Sequence, residues 1–249
     1  MATLLEVEGL SKTFDDVEAV KGLSLKVGAG EIVGLVGPNG AGKTTALRCI
    51  CTIMRPDEGR ISVCGHDVWT DGIEARRQLG FVPEVPNPFD KLTVTDHLEF
   101  TARAYSVDGY KEKARRLLEL FDMGEKQNEL SEKLSKGMKQ KILIMCAFLH
   151  DPKVLLLDEP LIGIDPKGAR ALKDRVRDLA SRGGCVVISS HILSLVEELC
   201  GRVAIMVKGR IIAEGTIDEL RSDAHLKSDA TLEDAFLAVT AGAQESRKA

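Results

Sequence analysis

The chain has 249 residues, of which 29% are charged and 44% are hydrophobic, and its formal net charge is −4. This balance excludes global disorder, and the negative charge argues against a broad nucleic-acid interface, so we expect no nucleic-acid partner. The longest stretch without a charged side chain, 183–196, is too short and too polar to cross a bilayer, and the N-terminus lacks the basic start of a secretory signal.

The first third of the chain alternates short apolar runs with glycine-rich turns, which indicates an α/β fold. A helix is predicted over 44–54, where Pro56 ends it. The apolar runs that predict strands are 4–7, 23–27, 32–36 and 61–64.

Helical periodicity replaces the strand pattern over 92–149 and predicts an inserted helical lobe. Three prolines, Pro83, Pro86 and Pro88, precede this lobe. Because proline fixes the backbone and removes a hydrogen-bond donor, we expect a stiff, non-helical hinge there.

The C-terminal third returns to the strand-helix-strand order. The continuous apolar runs 154–157 and 186–189 are typical of parallel strands covered on both faces, with a crossover helix predicted over 167–180. The runs 203–207 and 210–213 flank Lys208-Gly209, which predicts a hairpin. The last thirty or so residues have a helical and polar pattern.

A phosphate-binding motif, Gly-x-x-x-x-Gly-Lys-Thr, follows the predicted strand 32–36 and precedes a predicted helix. Its glycines let successive backbone N–H groups point at phosphate oxygens, and the helix adds its positive N-terminal end. The motif predicts that Lys43 reaches the β- and γ-phosphates and that the Thr44 hydroxyl holds Mg²⁺. The predicted nucleotide-binding residues are Gly37, Pro38, Asn39, Gly40, Ala41, Gly42, Lys43, Thr44 and Thr45.

Two carboxylates, Asp158 and Glu159, follow the apolar run 154–157. Open α/β sheets place ligand groups at this end of a strand. Asp158 is predicted to hold Mg²⁺, and Glu159 to accept a proton from an attacking water or to orient it. The alternative is that the pair only caps the segment before Pro160.

The segment Leu-Ser-Lys-Gly-Met, 134–138, precedes an apolar helical pattern, and its Ser135 lies 23 residues before Asp158. With the phosphate loop, this segment makes the sequence resemble the ATP-binding subunits of ABC transporters over about residues 5–220. It corresponds to the family signature Leu-Ser-Gly-Gly-Gln, with Lys136 in place of the first glycine. The resemblance implies that Ser135 and Gly137 bind the ATP of a second, identical or homologous subunit; Ser135 alone would be read as a helix cap.

Four further residues match functional positions of the family. His191, after Ser189-Ser190, corresponds to the switch histidine that contacts the γ-phosphate. Glu84 stands in the place of the glutamine loop, where a carboxylate suits Mg²⁺ or water, although the segment also fits an ordinary solvated loop. Asp165 matches a loop that communicates across the dimer. Phe14 matches an aromatic that stacks on adenine, with a core position as the equal alternative.

The resemblance implies a P-loop NTPase core with a mostly parallel sheet, an antiparallel β subdomain and an inserted helical subdomain. We therefore expect one ATP-binding domain over 1–249: an α/β core (1–85 and 152–220), a helical subdomain (86–151) and a C-terminal helical tail (221–249).

The predicted function is ATP hydrolysis for an ABC transporter, with ATP and Mg²⁺ as cofactors and an exporter favoured over an importer. Separate membrane-spanning permease chains would hold the protein at the cytoplasmic side of the membrane. The alternative is an ABC-type ATPase that acts in the assembly of a protein complex without transport. A P-loop kinase or GTPase is disfavoured, because the chain has no Asn-Lys-x-Asp motif and such enzymes do not explain the signature segment.

Overall fold

Ten strands and nine α-helices occur within the residues that the computed structural model describes, 2–224, 226–227 and 230–245. The strands are β1 (Thr3–Phe14), β2 (Val17–Gly28), β3 (Ile32–Val36), β4 (Glu58–Val63), β5 (His66–Asp67), β6 (Leu79–Val82), β7 (Val154–Asp158), β8 (Cys185–Ser189), β9 (Arg202–Val207) and β10 (Arg210–Gly215). The helices are α1 (Lys43–Ile50), α2 (Gly72–Arg77), α3 (Val94–Ala104), α4 (Tyr110–Leu120), α5 (Lys136–Leu149), α6 (Pro166–Ser181), α7 (Leu193–Leu199), α8 (Ile217–Asp223) and α9 (Leu232–Glu245).

A six-stranded sheet carries the candidate site, in the order β10-β9-β3-β8-β7-β6. The five strands from β9 to β6 are parallel, and β10 pairs antiparallel with β9. Every residue of β7 and β8 is buried, as expected for strands that are covered on both faces. The predicted hairpin is present: Lys208 and Gly209 both have positive φ, which joins β9 to β10 by a tight turn. The predicted mostly parallel sheet is therefore confirmed.

The second sheet is antiparallel, with the order β2-β1-β4-β5, and matches the predicted antiparallel part of the fold. Its two long strands, β1 and β2, each have 12 residues and extend well beyond the predicted runs 4–7 and 23–27. One face of β1 buries Leu5, Val7 and Leu10, while most side chains between them are exposed or half-buried. Because buried and exposed residues largely alternate, polar residues interrupt the apolar runs of each strand. The apolar runs therefore predict strands that are too short.

Helices α3, α4 and α5 occupy the predicted helical region and share one core. Leu98, Leu117 and Phe148 are buried in it, one from each helix. Helix α3 begins at a capping box, in which Thr93 and Asp96 bond each other's backbone N–H groups. Helix α5 has buried residues on nearly every side, as its apolar sequence indicates.

Two helix boundaries differ from the predicted ones. Helix α1 ends at Ile50 rather than at 54, because Thr52 has φ 65° and the chain turns away before Pro56. Helix α8 begins at Ile217, so the expected tail boundary at 221 falls inside a helix. Residues 225, 228–229 and 246–249 of the predicted tail 221–249 lie outside the described residues.

Candidate active site

The phosphate loop connects β3, in the middle of the parallel sheet, to the N-terminus of α1. Gly42 caps this helix with φ 103°, a conformation that strains any residue with a Cβ, and a Cβ there would collide with the carbonyl oxygen of Ala19. The first backbone N–H groups of α1 have no partner within the helix and form the positive end of its dipole. The loop and the helix therefore provide the N–H groups that an anion requires.

The Lys43 ammonium lies against this loop, where its Nζ donates to the carbonyl oxygens of Gly37 at 2.6 Å and Pro38 at 3.2 Å. Burial lowers the pKa of Lys43, while the charges of Glu159, Asp158 and Glu84 act in the opposite direction. Lys43 thus lies among three carboxylates, which favour its charged form.

A cavity of about 490 Å³ opens above the loop. Of the residues predicted from the motif, those from Asn39 to Thr45 line it, whereas Gly37 and Pro38, which begin the loop, are not among its lining residues. The residues that line it from elsewhere in the chain are Phe14, Ala19, Glu84, Asp158, Glu159, Ser189 and His191. Side chains from four distant segments therefore converge on the phosphate loop.

Asp158 ends β7 and is 1% exposed. Its Oδ1 is buried and has no hydrogen-bond partner within the described residues. Burial raises the pKa of Asp158 above its ordinary value, the nearby hydroxyls of Thr44 and Ser189 oppose this shift, and the charges of Glu84 and Glu159 add to it. An unpartnered buried carboxylate oxygen beside Thr44 is a free ligand for a hard cation.

Glu159 follows in the left-handed conformation, with φ 46°, and is 7% exposed. Its backbone N–H donates to the carbonyl oxygen of Ser189 at 2.9 Å. Its Oε1 accepts from the backbone N–H of His191 at 2.8 Å and lies 2.7 Å from the His191 Nδ1, and its Oε2 accepts from the Ser190 hydroxyl at 3.1 Å. Three contacts thus fix the carboxylate, and one fixes the backbone, to the end of β8, and the strained backbone aims the side chain at the cavity.

Phe14 and Glu84 enter the cavity from its two sides. Phe14, at the end of β1, is 42% exposed and does not belong to the core. Glu84 lies in the loop that follows β6, and the preceding Pro83 carbonyl accepts a 3.0 Å hydrogen bond from the Gln140 side chain of α5. This bond joins the Glu84 loop to the helical region.

The signature segment lies outside the cavity, at the N-terminus of α5. Ser135 caps the helix by accepting from the Met138 N–H at 3.3 Å, as its sequence position predicts. Gly137 packs against the loop that contains Gly163, and a Cβ on Gly137 would overlap the Gly163 carbonyl oxygen.

Asp165 caps α6 beside this segment, since its Oδ1 accepts from the Gly168 N–H at 3.1 Å. Its carboxylate also pairs with the nearly buried Lys141 of α5 at 2.9 Å. We call Ser135, Lys136, Gly137 and Asp165 the signature face. Lys136 is exposed, and no ion pair within the described residues involves it.

A family model described as ABC transporter matches residues 20–162, more than half of the chain. The chain belongs to the ABC transporter family. The ABC-type transporter ATP-binding protein EcsA of Bacillus subtilis (strain 168) is 38% identical over 240 residues, which cover 96% of this chain and 97% of that protein. The daunorubicin resistance ATP-binding protein DrrA3 of Streptomyces coeruleorubidus is 36% identical and covers 89% of this chain and 71% of its own length.

A solved structure of the ATP binding subunit of an ABC transporter superposes with a TM-score of 0.91 and 35% identity, covering 95% of this chain and 99% of that one. The chain is accordingly an ABC-family ATPase with ATP as its substrate. No helix in the described part of this ABC ATPase has the length and apolarity that crossing a membrane requires.

Sequence reasoning missed four residues of the site in this ABC ATPase. Ala19 and Ser189 line the cavity, Ser190 holds Glu159, and Gln140 joins α5 to the Glu84 loop. The serines are adjacent to His191 and were identifiable by position. Ala19 and Gln140 carry no signal in the sequence, because their role depends on contacts with distant segments.

Proposed function

We propose that this ABC ATPase works as a dimer that encloses two ATP molecules and drives the permease chains of an exporter. The observation that carries the proposal is the cavity at the carboxyl ends of the parallel strands, where the phosphate loop, Asp158, Glu159 and His191 converge. Its volume of about 490 Å³ lies within the ordinary range for small-molecule sites.

The loop half of the site binds the triphosphate. Backbone N–H groups at the N-terminus of α1 and the Lys43 ammonium neutralise the phosphates, and the exposed Phe14 ring offers a stacking surface to adenine. Because Lys43 donates to two loop carbonyls, its ammonium is already placed at the loop. Little rearrangement is then needed when ATP binds.

The residues beside the phosphates fit Mg²⁺. Thr44, Asp158 and Glu84 supply hard oxygen donors, and the Asp158 Oδ1 is buried without a partner in the described residues. No group of three or more His, Cys, Asp or Glu side chains in those residues is arranged to hold a metal, so the proposed site is completed by the nucleotide's own phosphates. When bound, Mg²⁺ neutralises charge on the transferred phosphoryl group.

Glu159 is the proposed general base for the attacking water. Its Oε2 accepts one hydrogen bond, from Ser190, and so retains the capacity to accept another from water. His191 is fixed to Oε1 and is half-exposed toward the cavity, where it can contact the γ-phosphate. The base and the histidine thereby act on the same phosphoryl group.

The signature face is proposed to close the site of the second subunit. Ser135 and Lys136, at the start of α5, are exposed, so this helix N-terminus is available to an anion on another chain. Lys136 adds a positive charge to this face, and Asp165 holds α6 beside it through Lys141. The second subunit is either an identical or a homologous chain.

We propose that the helical region 86–151 transmits closure to the permease chains, with 1–85 and 152–220 as the core and 221–249 as the tail. The Gln140–Pro83 hydrogen bond supports this, because it ties α5 to the Glu84 loop at the proline-rich entrance. Relatives named for drug resistance and Nod factor export support the exporter assignment. The permease would hold the protein at the cytoplasmic side of the membrane, and the relatives give no support to an assembly ATPase.

The test is the Glu159→Gln variant, with Glu125→Gln on the exposed surface as the matched control. We expect ATP hydrolysis to fall by about 100-fold or more, with ATP binding retained. Size-exclusion chromatography should then show an ATP-dependent dimer. Hydrolysis at the parental rate would refute Glu159 as the base, and a variant that stays monomeric with ATP would refute the composite site. Co-purification with a membrane protein of several spans tests the transport role.

A further inference from the structure

A second cleft lies where the C-terminal ends of α4, α5 and α6 meet, outside the candidate active site. It consists of two adjoining cavities of about 290 and 80 Å³ that share four lining residues. We call it the basic cleft and define it by Lys113, Arg116, Phe148, Asp151, Arg175 and Arg182. None of these residues lines the ATP cavity.

The charge of the basic cleft is opposite to that of the whole chain. Four cations and one carboxylate, Asp151, line its larger cavity, although the chain carries a net charge of −4. Asp151 pairs with Lys113, and outside the lining Glu112 pairs with Arg116 and Asp178 is shared between Arg175 and Arg182. One carboxylate serving two guanidinium groups leaves positive charge in excess.

Arg182 is the C-cap residue of α6, where the helix dipole attracts a cation, so part of this charge has a structural cause. That cause does not account for the state of Arg175. Its guanidinium lies 5.1 Å from the centre of the Phe148 ring, and its Nη1 donates to Asp178 at 2.9 Å. The opposite edge, Nε and Nη2, makes no hydrogen bond within the described residues, and Nε is buried.

Two neighbouring N–H donors on one guanidinium edge match the two oxygens of a carboxylate or phosphate. A buried donor without a partner costs free energy, and a bound anion would remove that cost. The positive cleft and the unpaired edge of Arg175 therefore favour the same class of ligand group.

The floor of the basic cleft is apolar. It is formed by the Phe148 ring with Leu117 and Leu120 of α4, of which Leu120 is partly exposed. Apolar surface beside a cationic rim favours a ligand that has both an apolar body and an anionic head. A cavity of about 290 Å³ suits a chain of several carbons better than a folded peptide segment.

We propose that the basic cleft binds a small amphiphilic anion, either a carboxylate or a phosphate monoester with a short apolar chain. The anionic head pairs with Arg175 and Arg116 or Arg182, and the chain covers Leu117, Leu120 and Phe148. This site is separate from ATP binding and does not depend on the proposed dimer.

Calorimetric titration of the full chain, saturated with ADP so that the ATP cavity is occupied, tests the proposal. The probes are hexanoate, hexyl phosphate, inorganic phosphate and hexyltrimethylammonium. We expect saturable 1:1 binding of hexanoate or hexyl phosphate, with the tighter probe identifying the head group. Inorganic phosphate should bind more weakly because it lacks the chain, and the cation should not bind.

Arg175→Gln should weaken binding about tenfold, because a charge-assisted pair of hydrogen bonds is lost. Arg116→Gln should weaken binding several-fold. Because the Arg116 side chain is exposed, this variant tests the site even if Arg175→Gln does not fold. Arg170→Gln on the same helix α6 is the matched control, since Arg170 does not line the cleft. Equal affinity in all three variants, displacement of the probe by ADP, or binding of an acidic peptide but of neither hexyl anion would overturn the proposal.

Discussion

The phosphate-loop half of the candidate site surrounds a cavity at the ends of β3, β7 and β8, whereas the signature face lies outside it at the starts of α5 and α6. In the loop half, Asp158 and Glu159 are buried, and Glu159 is fixed by four contacts. The signature face is exposed and depends on one ion pair and one close backbone approach. The difference fits the proposal that a single chain builds a binding cavity and, separately, a surface that completes the cavity of another chain.

The largest effect is expected when Lys43 is removed from the loop half. We expect Lys43→Ala to weaken ATP binding by about 100-fold, because Lys43 is the one lysine among the described residues that line the cavity. Equilibrium binding of a fluorescent ATP analogue measures the loss. Lys91→Ala, which removes an exposed lysine in the helical region, is the control and should bind normally. Normal ATP affinity in Lys43→Ala would show that the loop half does not bind the phosphates of ATP.

At Gly137 the signature face should respond to packing. In Gly137→Ala the added Cβ overlaps the Gly163 carbonyl, so the free energy of unfolding should fall by about 2 kcal/mol. ATP hydrolysis should fall with it while ATP binding to the loop half is retained. Gly124→Ala is the control, because a Cβ there meets nothing within 4 Å. Denaturant unfolding and the rate of ATP hydrolysis measure the two effects. Equal stability and equal rates in Gly137→Ala and Gly124→Ala would contradict this expectation.

Asp165 tests how the signature face is held. Asp165→Ala removes the cap of α6 and leaves the nearly buried Lys141 without a partner, so we expect a loss of about 1.5 kcal/mol at neutral pH. Hydrogen bonding to Lys141 lowers the pKa of Asp165, so its stabilisation is present above the unfolded-state pKa and is lost as the pH falls through the folded-state pKa.

Urea unfolding at neutral and at acid pH measures this difference. The gap between wild type and Asp165→Ala should shrink on acidification, whereas Glu132→Ala, which breaks an exposed ion pair with Lys91, should change stability much less at either pH. A gap that is constant with pH would show that the Lys141 pair contributes nothing.

The smallest effect is a gain. Burial raises the pKa of Asp158, so its charged form destabilises the fold, and this penalty grows as the pH rises from the unfolded-state pKa through the folded-state one. Asp158→Asn should therefore raise the free energy of unfolding by about 1 kcal/mol at neutral pH and less at acid pH, while abolishing hydrolysis. A destabilised variant, measured by denaturant unfolding, would show that Asp158 holds the fold together instead.

The parallel strands and the hairpin were predictable because each has a local signal. Residues 154–157 and 186–188 are apolar throughout, and Lys208-Gly209 marks a turn. The predicted lengths of β1 and β2 were too short, because one face of this antiparallel sheet is polar and buried residues therefore alternate with exposed ones.

In the candidate site, the spacing of the motifs predicted the residues but not the contacts between them. The Lys141–Asp165 pair spans 24 positions and the Gln140–Pro83 bond spans 57, so neither leaves a local pattern. Phe14 had two equal interpretations from the sequence, core or cavity, and only its exposure in the fold decides against the core. The basic cleft left no signal at all, since its cations belong to two helices, α4 and α6, that are far apart in the sequence.

Glu159 has a further consequence through its attachment to β8. Its backbone and both carboxylate oxygens bond residues 189–191, so the base is anchored to the same strand end that carries the histidine. When the loops around the cavity rearrange, the two groups shift as one body and their spacing stays constant. Timing of the reaction then depends on when the phosphate reaches this pair, and reassembling the pair in each cycle is unnecessary.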